Sequence, residues 1–159
     1  MRDTSLRGAY MYKTILVPVD ISEDTLTEKA LKQAIHLAKM DNAKIHLFHS
    51  VPDVSRFSMS YSYHYDLLSS FTKKAVERSE EQLVELVNRI VKEMDFPADR
   101  ISYKVEFGSP REKVLDEAEK VQADLIVVGS RNPSISTHLL GSNASGIVSY
   151  AKISVLVVR

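Results

Sequence analysis

Three short stretches of this chain hold residue types that could do chemistry together. They are Pro18-Val19-Asp20, Gly129-Ser130-Arg131-Asn132-Pro133 and Gly141-Ser142. The last pair stands where a helix should begin. Free backbone N–H groups and the positive end of the helix dipole make such a start an anion site, and a phosphate fits it. Gly141 would let a ligand approach closely and Ser142 would offer a hydroxyl. The same residues also read as ordinary turn glycines and a helix cap, and spacing alone leaves both readings open.

Other chemistries find less support. The phosphate loop G-x-x-x-x-G-K-[ST] is absent, and no G-x-G-x-x-G follows the first strand. No Ser-His-Asp or paired-carboxylate arrangement can be argued from spacing. With no cysteine, thiolate metal sites, disulfides and cysteine nucleophiles are excluded. The five histidines are His36, His46, His49, His64 and His138. His46 and His49 lie three apart on an expected strand and so point to opposite faces, which defeats a shared metal. Tyr61, Tyr63 and Tyr65 could stack on single-stranded bases, but Arg56 is their one basic neighbour, so a lid or protein contact is the better reading.

The 159 residues suit one domain, and a 44% hydrophobic fraction is enough for a core without staples. Charges balance at 21 basic and 21 acidic residues, which leaves no basic excess for nucleic acid. Residues 1–10 (MRDTSLRGAY) lack the apolar core of a secretory signal and read as an extension, with the domain over 11–159. No run reaches the roughly 18 apolar residues of a membrane span. A cytoplasmic protein is the expectation.

The elements that must position these residues follow from periodicity. Residues 12–19 (YKTILVPV) form an apolar strand. Ser22-Glu23-Asp24 starts a helix whose face carries Leu26, Ala30, Ala34, Leu37 and Ala38, closed by Asp41-Asn42. A second strand covers 43–50. The Ser- and Tyr-rich stretch 53–70 reads as a long loop. Next comes a helix striped by Leu83, Leu86, Val87, Ile90, Val91 and Met94. A third strand spans 101–107. Ser109, Pro110 and Glu112 then spell a capping box at the start of a helix with Val114, Leu115 and Ala118 inward. The fourth strand is 124–128, and the fifth, after the helix from Gly141-Ser142, is 154–158. Strands that are continuous apolar runs, alternating with helices, imply an α/β fold: a doubly wound five-stranded parallel sheet, order 3-2-1-4-5, with helices on both faces. Ligands then bind beyond the strand ends at the switch point between strands one and four.

From residue 12 to 159 the chain resembles the universal stress protein family, and its ending, GSRNPSISTHLLGSNASGIVSYAKISVLVVR, is similar to the branch lettered F and G. Nucleotide-binding members carry glycine, two residues, glycine, nine residues, then Gly-Ser or Gly-Thr. Gly129 matches the first glycine and Gly141-Ser142 the closing pair. Asn132 replaces the middle glycine and the following gap is one residue shorter; Asn tolerates left-handed backbone.

The resemblance implies a fold like the adenine nucleotide alpha hydrolases and a site for ATP or ADP. Pro18, Val19 and Asp20 would line the adenosine, with Asp20 near the ribose or a nucleotide-bound Mg, while the protein alone supplies no metal site. Ser50 would give backbone contacts to adenine. Val128 and Gly129 would flank the nucleotide, Arg131 and Asn132 would approach the phosphates, and Gly141, Ser142, Asn143 and Ala144 would hold them. Slow hydrolysis or autophosphorylation onto Ser134, Ser136, Thr137 or Ser145 belongs to the same implication, as does a homodimer through Val155, Leu156, Val157 and Val158. The alternative is a nucleotide-free dimeric adaptor on the same fold. Asp20 also reads as a cap of the first turn, and Arg131 as a solvated loop charge.

Overall fold

The computed structural model describes residues 11–21, 24–53, 65–130 and 141–159. Five parallel strands, β1 (Thr14–Pro18), β2 (Lys44–Val51), β3 (Ile101–Phe107), β4 (Leu125–Gly129) and β5 (Ser154–Val158), form one sheet in the order β3-β2-β1-β4-β5. The expected fold class and strand order are those found. β1 sits centrally, with Ile15 opposite Ile45 on one side and opposite Leu125 on the other. Such a strand is flanked by backbone on both edges and by helices on both faces, which is why its buried centre, Ile15-Leu16-Val17, is apolar throughout.

The helices are α1 (Asp24–Asp41), α2 (Tyr65–Glu93), α3 (Pro110–Lys120) and α4 (Ser142–Tyr150). One core lies between the sheet and α1 with α2, built on Ile15, Val17, Leu31, Ala34, Leu47, Leu83, Ile90 and Phe96. A second, smaller core lies between the other sheet face and α3 with α4, built on Leu16, Phe48, Val114, Ala118, Ile126, Ala144 and Ile147. Alternation along β1 assigns the residues: Ile15 and Val17 face one layer, Leu16 the other. Asn42 ends α1 with φ of 54°, a left-handed stop that asparagine accepts.

Several sequence expectations need correction. Strands β1, β2 and β4 are offset from 12–19, 43–50 and 124–128 by one or two residues. The long loop is wrong for residues 65–70, which are helical: α2 begins at Tyr65 and has 29 residues. The four-residue spacing Phe71, Ala75, Ser79, Leu83 carries the helix backward, but Ser79 is polar and Phe71 is exposed, so the buried apolar stripe that announces the helix starts only at Leu83. The inner half of α2 buries Leu83 and Ile90, whereas most of residues 69–78 are exposed. The capping box fails as well. Ser109 is the N-cap and Pro110 occupies the first turn, but the Ser109 side chain makes no capping bond. Instead Lys113 N–H donates to the Ser109 carbonyl at 2.9 Å. A single 3-10 turn at Ala98–Arg100, preceding β3, was not expected.

Residues 1–10, Ser22-Glu23, Tyr61, Tyr63, His64 and His138 lie outside the description. Within it, no helix is long and apolar enough to cross a membrane.

Candidate functional site

The C-terminal ends of β1, β2 and β4 open into a cavity of about 530 Å³ between the two helix layers. It sits at the switch point, where the chain leaves β1 toward one side and β4 toward the other. Pro18, Val19 and Asp20 form its floor as β1 ends, Ser50 its β2 side, and Val128 with Gly129 its β4 side. Gly141, Ser142, Asn143 and Ala144 close it at the start of α4. The fold thus brings these expected residues around one space. Arg131 and Asn132 lie outside the described residues, as do Ser134, Ser136 and Thr137.

The start of α4 has the donors an anion needs. Gly141 is the N-cap, with φ −56° and ψ 155° and no side-chain capping bond. The helix ladder begins with Ser145 N–H donating to the Gly141 carbonyl at 2.9 Å. The N–H groups of Ser142, Asn143 and Ala144 precede it, so the helix itself gives them no acceptor. No acidic residue occupies this first turn. Ser142 is not the cap, which frees its hydroxyl from that role, and Gly141 has a backbone that any residue adopts.

Thr27 on α1 holds the β1 exit in place. Its hydroxyl donates to the Asp20 carbonyl at 3.0 Å and lies 3.3 Å from the Asp20 N–H. Asp20 is therefore fixed by its backbone, and its carboxylate is the cavity's one acidic group among the described residues. One carboxylate suits a magnesium ion that takes most of its oxygens from phosphates and water. Among the described residues no cluster of acidic or histidine side chains could hold a metal alone.

On the β2 side, Ser50 Oγ donates to the Gly108 carbonyl at 2.8 Å, and Gly108 N–H donates to the Val51 carbonyl at 3.0 Å. Gly108 has φ of 138°, where a side chain would be strained and its Cβ would meet Lys113. These bonds seat Pro110 and Val114 against the cavity.

The sequence reading missed part of the lining. Thr27 and His49 belong to it, and so do Ser79 and Gln82 on α2. His46 and His49 do diverge: His46 bonds toward α3 and His49 toward the Val19 carbonyl. A polar Ser79 on an otherwise apolar helix face was the one available signal, because nothing in spacing ties α2 to β1.

Comparison with known proteins agrees with this architecture. Residues 11–159 match the universal stress protein family. Universal stress protein G of Escherichia coli O157:H7 is 43% identical over 149 residues, covering 94% of this chain and 100% of that one. Universal stress protein UspA from Lactobacillus plantarum superposes with a TM-score of 0.75 at 23% identity, covering 93% and 98%. A universal stress protein from Archaeoglobus fulgidus, solved in complex with dAMP, superposes at 0.62 with 22% identity, covering 93% and 98%. A universal stress protein solved in complex with cAMP superposes at 0.57 with 22% identity, covering 93% and 97%. By the match over nearly its whole length, this chain belongs to the universal stress protein family.

Proposed function

We propose that the protein binds an adenine nucleotide, ATP or ADP with Mg, in the cavity at the strand ends and acts in the cytoplasm as a nucleotide-responsive stress factor. The observation that carries this reading is the first turn of α4, whose N–H groups of Ser142, Asn143 and Ala144 have no helical acceptor and border a cavity of about 530 Å³. That volume falls within the roughly 300–1,000 Å³ common to small-molecule sites. The phosphates would sit at this turn, Asp20 near the ribose or the magnesium, Pro18 and Val19 along the adenosine, and Ser50, Val128 and Gly129 beside it. Arg131 and Asn132 would reach the phosphates from the β4–α4 connection. The complexes of two family members with dAMP and cAMP support the choice of adenine.

Turnover is at most slow in this proposal. The described lining holds one carboxylate, Asp20, and one imidazole, His49. Transfer of a γ-phosphoryl group to Ser145, or to a hydroxyl at 134, 136 or 137, is the form it would take.

The test is to denature freshly purified protein and identify released nucleotide by chromatography, with calorimetric titration of the emptied protein by Mg-ATP. Stoichiometric adenine nucleotide, or a micromolar Kd equivalent to about −8 kcal/mol, is expected. No release and no heat would overturn the reading and leave the dimeric adaptor as the better account.

A further inference from the structure

We propose that Ser102 is the nucleophile of a Ser102-His46-Glu117 relay at the β3 edge of the sheet, and that it takes acyl groups from small activated esters. This activity is separate from nucleotide binding, because none of the three residues lines the cavity at the strand ends.

Three elements build the relay, and strand pairing sets its geometry. His46 on β2 stands opposite Ser102 on β3 in the parallel register, so their side chains leave the same face about 4.8 Å apart. Phe48, two residues from His46, packs in the core beneath α3, so this is the face that α3 covers. Glu117 reaches it from α3. Its Oε1 lies 3.0 Å from His46 Nε2, and His46 Nδ1 lies 2.6 Å from Ser102 Oγ. Lys104 and Lys120 hold the other carboxylate oxygen, Oε2, at 3.3 Å and 3.8 Å, which leaves Oε1 to the ring.

The proton path follows from donor chemistry. A carboxylate accepts, so Nε2 carries the ring proton, Nδ1 is the acceptor, and the Ser102 hydroxyl donates to it. That is a general base placed on a hydroxyl and oriented by a carboxylate, with the two ring nitrogens exchanged relative to the serine protease triad. Burial separates the parts. His46 is 6% exposed and Glu117 2%, whereas Ser102 is exposed on an edge strand. A buried ionisable pair is weak support for stability, since apolar side chains of similar volume do as well or better. Here the pair ends on a hydroxyl that solvent can reach.

Ser102 stands on an open strand edge, so a short acyl group on a good leaving group is the matching substrate. Oγ attacks the carbonyl carbon as its proton passes to Nδ1. The bond to the leaving oxygen breaks and that oxygen takes the proton from Nδ1, giving O-acyl-Ser102 and an alcohol. Water then attacks the acyl carbon, its proton passes to Nδ1, and Oγ departs with that proton. Ester and water have become acid and alcohol, with the protein restored.

The experiment treats the full chain at pH 7.5 with a fluorophosphonate, which phosphonylates activated serines with loss of fluoride, and separately with p-nitrophenyl acetate. One phosphonyl group is expected on Ser102, located by peptide mass spectrometry. Its rate should be about a hundredfold that at Ser149, an exposed serine whose hydroxyl donates to the Ser145 carbonyl at 2.8 Å instead of to an imidazole. Labelling at this position and ester hydrolysis should both fall to background in Ser102→Ala. His46→Gln, with its thermal midpoint recorded, should slow labelling of Ser102 about a hundredfold. If His46→Gln does not fold, the Ser102 to Ser149 ratio and Ser102→Ala decide. Labelling of Ser102 no faster than of Ser149, hydrolysis unchanged in Ser102→Ala, or full labelling in folded His46→Gln overturns the assignment and leaves a structural hydrogen bond.

Discussion

Nε2 of His46 lies 3.0 Å from Oε1 of Glu117, joining β2 to α3 with both side chains less than a tenth exposed. The carboxylate accepts, so Nε2 carries the proton, and Nδ1 accepts from the Ser102 hydroxyl at 2.6 Å. The ring is thus neutral with both nitrogens used. Burial pushes its pKa down, outweighing the opposite pull of Glu117; Lys104 adds to the lowering. Glu117 also receives Lys104 at 3.3 Å and lies 3.8 Å from Lys120.

A His46 pKa depressed in the folded state means that the unfolded chain binds more protons near its ordinary value of about 6.5. Stability from this group is complete above that value and is lost as pH falls below it. The urea midpoint of wild type should therefore drop between pH 7.5 and 5.5, and His46→Gln should flatten the slope. A midpoint that rises on acidification would mean that Glu117, not burial, dominates the ring.

Removing the acceptor should cost more than removing its charge. Glu117→Leu leaves the buried His46 N–H without its partner, while Lys104 keeps Glu106, and about 2–3 kcal/mol of stability should be lost. Glu117→Gln keeps a carbonyl for His46 and should lose about 1 kcal/mol. Equilibrium unfolding in urea at pH 7.5 separates the two, and equal losses would count against the hydrogen bond as the cause.

Glu106 supplies a second, more acidic window. Its hydrogen bond with Lys104, at 2.7 Å, and that with Lys120, at 3.1 Å, hold its carboxyl at about 2. The stability it contributes is present above the ordinary carboxylate value of about 4.3 and disappears toward pH 2. Glu106→Gln should be less acid-sensitive than wild type across that interval when thermal midpoints are compared at pH 5 and pH 3.

At the start of α4, Ser142→Ala should weaken Mg-ATP binding by about 1 kcal/mol, roughly fivefold, through loss of one hydroxyl. Gly141→Val should abolish binding by filling the approach. Since Gly141 has φ of −56°, the valine variant should keep its thermal midpoint, which separates a blocked site from a damaged fold. Unchanged affinity in both variants would move the phosphates elsewhere.

The edge strand β5 is half-covered: Leu156 and Val158 pack on one core, Val155 and Val157 on the other, and all remain partly exposed. Apolar edges of this kind invite pairing with a second copy. Light scattering of Val157→Lys should show half the mass of wild type if two copies meet there. A wild-type monomer, or an unchanged mass, would exclude that strand as the contact.

Much of this architecture was legible because each core strand is a short apolar run between turn residues. TILVP and DLIVV state their burial on both faces directly, SVLVV reads the same although it is the half-covered edge, and the switch point follows from strand order. The floor and the phosphate end of the cavity could be reached that way, since each follows a strand or opens a helix. The α2 wall could not. Ser79 and Gln82 reach the cavity through a packing of α2 on the sheet that no local spacing encodes, and the Tyr65–Ser70 turns were hidden by serine and tyrosine, whose intrinsic helix preference is weak. Ser109 shows the converse: the right residues for a capping box, in the right order, do not form its side-chain bond.

The length of α2 has a geometric consequence. Its 29 residues span about 43 Å, whereas the eight of β2 span about 26 Å. The helix leads into β3 and so runs against the strands, which puts the surplus, roughly three turns, beyond their C-terminal ends. It stands there as a parapet on one side of the opening, with Ser79 and Gln82 at its foot. The depth of the recess is then a matter of helix length, adjustable by whole turns without disturbing a single residue of either core.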